Sequence, residues 1–247
     1  MQVERETSRR IAVMPSYDAA SYGDGCASFY DQLYPTVEVA LRSALLELAG
    51  KGPMLELGIG TGRVALALSS RGASVHGIEA SPAMIAVFRA RPGAEKVPVL
   101  LGDFSTTPFG AQYQLIYSLV NTFSLLPSLD LQRACFRNIA RHLLPGGRFV
   151  SEAFVACGSS PLPTETEVPI VTPTGVQQYR VSLLSSPLNI LDSIASECGL
   201  YLVERWSNWL RAPYEPSMSR HISVFALQEH NPAEQGVART RGIFALA

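Results

Sequence analysis

Met54-Leu55-Glu56-Leu57-Gly58-Ile59-Gly60-Thr61-Gly62-Arg63-Val64-Ala65-Leu66 joins a short apolar run to a glycine-rich turn and then to an apolar pattern of helical period. The run suits a buried strand, and the pattern after Gly62 suits a helix. Glycine at 58, 60 and 62 lets the backbone turn sharply and lie directly against a ligand, since no Cβ intervenes. The helix that follows presents unpaired N–H groups and the positive end of its dipole to that turn. Such a turn suits a nucleotide-type ligand. Its spacing is G-x-G-x-G, whereas the dinucleotide fingerprint is G-x-G-x-x-G and rests on pyrophosphate meeting the helix N-terminus. Glu56, two residues before the first glycine, would repel pyrophosphate and could pair instead with an ammonium group.

The surrounding chain narrows the class further. Its 247 residues suit one large α/β domain with a substantial core. A net charge of −1 and a pI near 6.4 give no electrostatic footprint for nucleic acid. Cys26, Cys135, Cys157 and Cys198 are scattered, without C-x-x-C or metal-ligand spacing, which predicts a reduced cytoplasmic protein with no metal. The first ten residues are polar and charged, and no run approaches membrane-spanning length. Neither nucleic acid nor a membrane is expected as a partner.

In chain order, residues 1–28 show no sustained period and read as an N-terminal arm or lid. Pro35 is expected to open a helix running to about Ala49. Beyond the glycine turn a helix runs to about Ser70, and residues 73–78 form a second strand with Glu79 at its carboxyl end. A carboxylate there can accept hydrogen bonds from both hydroxyls of a ribose. Ser81-Pro82 caps the next helix. Residues 97–101 make the third strand, leading into Gly102-Asp103-Phe104, and residues 113–119 the fourth. A helix over 130–144, a turn at Pro145-Gly146-Gly147 and a strand over 148–155 follow. Residues 156–180, rich in Pro, Ser and Thr, read as a loop covering the substrate side, with room for short strands. A last helix over 186–198 precedes strands at 200–209 and 220–227, and residues 229–247 read as a tail. The alternation predicts a parallel sheet with right-handed crossovers.

Leu55-Glu56-Leu57-Gly58-Ile59-Gly60-Thr61-Gly62 resembles the first motif of the class I S-adenosylmethionine-dependent methyltransferases. Gly77-Ile78-Glu79-Ala80-Ser81-Pro82-Ala83-Met84 is similar to the second motif, and Gly102-Asp103-Phe104 to the adenine contact. The aromatic-Asp-x-x-Tyr pattern ending at Tyr34, and Leu144-Pro145-Gly146-Gly147 before a strand, are further habits of that family. The resemblance covers roughly residues 29–155 and, more loosely, 186–228, within a methyltransferase domain at 29–228. It implies a Rossmann-like, doubly wound α/β sheet of seven strands, mostly parallel, closed by an antiparallel C-terminal hairpin. It implies S-adenosyl-L-methionine as cofactor and S-adenosyl-L-homocysteine as product. Glu56 would then lie near the methionyl end, with Gly58, Gly60, Gly62 and Arg63 around the amino-acid part. Glu79 would take the ribose with Ala80 beside it, and Met84, Gly102, Asp103 and Phe104 would surround adenine. Leu119 and Tyr30 would border the same pocket, although Tyr30 and Tyr34 read equally well as packing residues at a helix start.

Ligands of open α/β sheets sit beyond the carboxyl ends of the parallel strands. That edge carries Asn121, Phe123, Glu152 and Phe154, and the joint of the last two strands brings Trp206, Trp209, Tyr214 and His221 toward it. The expected substrate pocket is aromatic with few charges and suits a small, fairly apolar acceptor. The cofactor carries the reactivity, so the protein mainly aligns the reactants and excludes water. An amine acceptor needs only to arrive unprotonated, whereas a hydroxyl gains from a general base. Several small-molecule members of the family carry N-S-x-x-H after the fourth strand. Here Asn121-Thr122-Phe123-Ser124-Leu125 puts Leu125 in place of that His. Tyr30, Asn121 and His221 are left as catalytic candidates, with no base assigned. The Asp/Asn-Pro-Pro-Tyr motif of amine methylation on nucleobases is absent. The expected function is methyl transfer to oxygen or nitrogen of a small molecule, of the kind found in secondary metabolism. Two other readings stay open. One is an S-adenosylmethionine-binding protein of the same fold with a non-methylating reaction such as a cyclisation. The other is an NAD-binding oxidoreductase, whose ribose Glu79 would serve equally well. An exposed arm at 1–28 also leaves exchange between subunits of a homodimer open.

Overall fold

Short apolar runs bounded by glycine and proline become strands in the computed structural model, which describes residues 17–155, 163–172 and 175–228. Helices α1 (Ser21–Cys26), α2 (Tyr30–Leu33) and α3 (Val39–Ala49) lead into β1 (Met54–Leu57). Then come α4 (Arg63–Ser69), β2 (Val75–Glu79), α5 (Pro82–Arg89), β3 (Val99–Leu101), β4 (Tyr113–Ser118), α6 (Leu129–His142) and β5 (Leu143–Phe154). A hairpin of β6 (Thr164–Thr172) and β7 (Gly175–Leu183) precedes α7 (Leu188–Glu197), β8 (Leu200–Trp206) and β9 (Arg220–Leu227).

Seven strands form one sheet in the order β3-β2-β1-β4-β5-β9-β8. The first five are parallel, and β9 lies antiparallel between β5 and β8. Alternation along the strands divides the core between two faces. Met54, Leu115, Tyr117, Val150 and Val224 pack with Leu41, Leu45, Val64, Leu68 and Phe88 on one face. Leu55, Leu57, Ile116, Phe149 and Phe225 pack with Phe136, Ile139 and Ile194 on the other. A sheet covered on both faces explains why β1 is buried at every position. The strand order reverses between β1 and β4, and a crevice opens there beyond their carboxyl ends.

Three expectations need correction. The helix expected from Pro35 starts only at Val39, after the short α2. Proline disfavours the α conformation in the residue before it, and Tyr34, at φ −130 and ψ 66, leaves the helix. Pro145-Gly146-Gly147 does not separate helix from strand; it lies inside β5, where the pairing to β4 shifts register between Tyr113 and Leu115. The region read as a loop at 156–180 contains two nine-residue strands, paired from Thr164↔Leu183 to Thr172↔Gly175. The β-branched residues of this hairpin outweigh its Pro169, which a two-stranded sheet tolerates because both strands are edges. The arm expected at 1–28 is described only from Tyr17, and the tail expected at 229–247 lies outside the described residues.

Candidate active site

The glycine turn uses three left-handed backbone positions, Gly58, Gly60 and Gly62. Gly62 is required by packing as well, because a Cβ there would lie 2.4 Å from Phe88 Cδ2. Gly60 is different: its added Cβ would meet nothing nearer than Met84 Sδ at 3.9 Å, an ordinary contact without overlap, and Gly60 lines the cavity described next. The Gly60 N–H donates to Glu79 Oε2 at 2.9 Å, and Ser81 N–H donates to Glu79 Oε1 at 2.9 Å. Burial raises the Glu79 carboxyl, and the two backbone N–H groups oppose that shift. Ser81 also caps α5 by accepting from Met84 N–H at 3.1 Å.

A cavity of about 290 Å³ opens above this turn. Its walls are Gly58 and Gly60, Glu79, Ala80 and Met84, Asp103 and Phe104, and Thr122 with Leu125. The segment at the start of the described chain roofs it with Tyr17, Tyr22 and Tyr30. Among the described residues lining it, three are carboxylates (Asp18, Glu79, Asp103) and none is Lys, Arg or His. The roof is tied down at several points. Ser182 N–H donates to the Tyr17 hydroxyl at 3.1 Å, Ser81 Oγ donates to Asp24 Oδ1 at 2.5 Å, and the Tyr179 ring packs 5.8 Å from both Tyr22 and Phe29. Sequence reasoning missed Tyr17, Asp18 and Tyr22 in the wall, since the first two precede α1 and six-residue α1 is too short to show a period.

A second cavity, about 310 Å³, is lined by Tyr34, Arg63, Asn121, Glu152, Phe154 and Arg220 among others. Arg63 Nη1 donates to the Thr36 carbonyl at 2.6 Å, and its buried Nε has no hydrogen-bond partner among the described residues. Glu152 is buried, and its Oε1 accepts from Trp209 Nε1 and Arg220 Nη1, both at 3.2 Å. Burial raises this carboxyl while Arg220 opposes the shift. Asn121 Oδ1 accepts from Phe154 N–H at 2.6 Å. Val120 and Asn121 both have positive φ, 47 and 64. For a β-branched residue that conformation costs on the order of 1–3 kcal/mol, a strain typical of site-forming loops.

The remaining sequence-derived candidates lie behind these walls. Glu56 is buried on β1, with the Tyr117 hydroxyl donating to Oε2 at 3.2 Å, and burial pushes its carboxyl up to about 8. Gly62, Gly102 and Leu119 line neither cavity, and Phe123 packs between Phe136 and Phe149 in the core. Trp206 and Trp209 are each 3% exposed and pack on the sheet face that α3 covers, and Tyr214 also lies away from both cavities. The aromatic wall expected from the β8–β9 joint comes instead from the tyrosines of the roof. His221 is buried on β9 with Nδ1 2.9 Å from Ser223 Oγ, which also accepts from Arg205 Nε at 2.8 Å. Burial and the nearby Arg205 push His221 down to about 4, and it lines neither cavity. Among the described residues no group of His, Cys, Asp and Glu could hold a metal ion, and no helix is long and apolar enough to cross a membrane.

Comparison with known proteins agrees with this geometry. A family model described as a methyltransferase domain matches residues 54–147. Cypemycin N-terminal methyltransferase of Streptomyces sp is 34% identical over 104 residues, covering 42% of this chain and 41% of that protein. The dTDP-4-amino-2,3,4,6-tetradeoxy-D-glucose N,N-dimethyltransferase of Saccharopolyspora spinosa is 35% identical over 101 residues, covering 40% and 39%. The matched part spans about two fifths of the length of these curated relatives. The solved structure of the CcbJ methyltransferase from Streptomyces caelestis superposes with a TM-score of 0.75 at 29% identity, covering 86% of this chain and 100% of that one. Residues 54–147 thus match a methyltransferase domain, and in its strand order, its glycine turn and its Glu79 at the end of β2 the chain is similar to the class I S-adenosylmethionine-dependent methyltransferases.

Proposed function

We propose that the protein transfers a methyl group from S-adenosylmethionine to an amine nitrogen of a small natural-product molecule. The observation that carries the reading is the character of the first cavity: carboxylates and tyrosines around a glycine turn, with no basic side chain in its described wall. Such a wall favours a cationic ligand, through charge and through the faces of aromatic rings. The residues present fit the cofactor. Gly60 leaves the cavity free of a Cβ, Glu79 presents a carboxylate to it, and beside the second cavity the buried Arg63 Nε lacks a partner among the described residues. Glu79 would hold the ribose and Asp103 and Phe104 the adenine, and Arg63, on the wall of the second cavity, would meet the carboxylate, while Glu56, buried behind the turn, would act on the ammonium group only through its charge. When bound, the cofactor would supply a sulfonium methyl for direct displacement.

The chain's own residues would align the acceptor and keep water out. Tyr17, Tyr22 and Tyr30 close the roof, and Leu125 presents an apolar side chain where a base would otherwise stand. A neutral amine needs no base, which is why this wall suits nitrogen better than a hydroxyl. Asn121, Glu152 and Phe154 would bound the acceptor from the second cavity. The two curated relatives named above are an N-terminal methyltransferase and an N,N-dimethyltransferase, which supports the same choice. The buried thiols of Cys26 and Cys135 support a cytoplasmic location within this reading. The test is calorimetric titration with S-adenosylmethionine, S-adenosylhomocysteine and NAD, followed by assays of paired amine and alcohol acceptors for S-adenosylhomocysteine release. Binding of the first two ligands and turnover on amines is expected. NAD binding alone would overturn the cofactor assignment, and turnover on alcohols only would overturn the choice of nitrogen.

A further inference from the structure

Asp31 follows Tyr30 in α2, yet its carboxylate is not part of either cavity wall. It turns instead toward the glycine turn and closes a ring of three hydrogen bonds. Thr61 Oγ1 donates to Asp31 Oδ1 at 2.7 Å, Arg91 Nη2 donates to Asp31 Oδ2 at 2.9 Å, and Arg91 Nη1 donates to the Thr61 carbonyl at 3.0 Å. Thr61, fully buried between Gly60 and Gly62, therefore has both its hydroxyl and its carbonyl engaged from one side. From the other side Glu79 accepts from the Gly60 N–H. The peptide run through the turn is gripped on both flanks. It contains glycines, which would otherwise leave its conformation loosely determined.

The Asp31–Arg91 pair is about one third exposed, with side-chain values of 37% and 32%, so as an ion pair it adds little to global stability. Its value is directional. The helix that carries Asp31 also carries Tyr30, whose Cε1 would lie 4.0 Å from a Cβ built on Gly60. One short element thus holds the turn from outside and places an aromatic ring over its open face. We propose, on the cofactor reading above, that Asp31 is a positioning residue for the cofactor. It sets the Gly60–Gly62 backbone through Thr61 and the roof through Tyr30, and it does so without touching the ligand.

The test uses the full chain and S-adenosylhomocysteine, with affinity read by calorimetry. Asp31→Asn and Thr61→Val should each weaken binding about tenfold, the size of one charge-assisted hydrogen bond, while Thr61→Ser, which keeps the hydroxyl, stays within about twofold of wild type. The double variant should bind about as weakly as either single one, because both remove the same ring. Backbone amides of the turn should exchange faster in ligand-free Asp31→Asn, with the melting temperature nearly unchanged. Wild-type affinity in folded Asp31→Asn and Thr61→Val would overturn the proposal, as would a lowered melting temperature with unchanged affinity. Failure of the wild-type protein to bind S-adenosylhomocysteine or S-adenosylmethionine would instead overturn the cofactor reading itself, and the positioning role with it.

Discussion

Gly60 N–H donates to Glu79 Oε2 at 2.9 Å, so the end of β2 is joined to the turn after β1 by a side chain as well as by the sheet ladder. Glu79→Ala therefore removes the expected ribose partner and a brace of the turn together. The expected loss in S-adenosylmethionine affinity is on the order of 1–3 kcal/mol, the range for charge-assisted hydrogen bonds. Calorimetry on purified variant checks it. Wild-type affinity would sink the ribose assignment.

Glu56 predicts a pH dependence of stability. Burial pushes its carboxyl up to about 8, well above its ordinary value of 4.5. The folded state thus binds this proton more tightly than the unfolded chain does. Its contribution is full below about pH 4.5 and is lost as pH rises through about 8. Glu56→Gln should flatten the melting-temperature profile of the ligand-free protein across that window. A variant whose profile falls as steeply as wild type would show that Glu56 is not the group responsible.

Gly60 and Gly62 should separate binding from folding. Alanine at 62 places Cβ 2.4 Å from the buried Phe88 ring and is expected to cost about 1–3 kcal/mol of stability from overpacking, besides left-handed strain. Alanine at 60 makes only ordinary van der Waals contacts, so its stability cost is the left-handed conformation alone, on the order of 1 kcal/mol. Gly60→Val should abolish cofactor binding in a folded protein. Thermal melts of the two alanine variants check the ranking, and equal losses would refute it.

His221 should be dispensable for chemistry. Pushed down to about 4 and bonded to Ser223, it is neutral near pH 7. Its depressed value gives stability that is present above about pH 6.5 and lost as pH falls through about 4. His221→Gln should keep turnover within a fewfold of wild type and should soften the acid side of the stability profile. A hundredfold loss of kcat in a folded variant would restore it as a catalytic group.

Much of the fold was legible because its central strands are apolar runs with glycine or proline at their ends. β1, β2 and β4 carry the signal of a sheet buried on both faces, and Glu79 could be placed from its position at a strand end alone. The hairpin of β6 and β7 was not legible for the opposite reason. Residues such as Thr164, Glu165, Thr166 and Glu167 are exposed, so no hydrophobic alternation marks a strand. The roof was hidden because it is made by long-range contacts. Tyr17 meets Ser182, and Tyr22 meets Tyr179, only after the chain has returned from the far side of the sheet. Trp206 and Trp209 show the limit of reading by edge: residues at the correct end of a strand can still turn toward the core, as these do beneath α3.

The place of β9 between β5 and β8 has a consequence for biosynthesis. As the chain leaves the ribosome, β5 emerges with one side unpaired, and β8 follows with no neighbour at all until Arg220–Leu227 arrives. The nascent chain therefore carries the bare edge of a largely complete sheet through the synthesis of the hairpin, α7 and β8. Such edges template wrong pairings between chains. A ribosome stalled anywhere before β9 would release a product lacking an interior strand, a species for quality-control proteases rather than a slightly shortened enzyme.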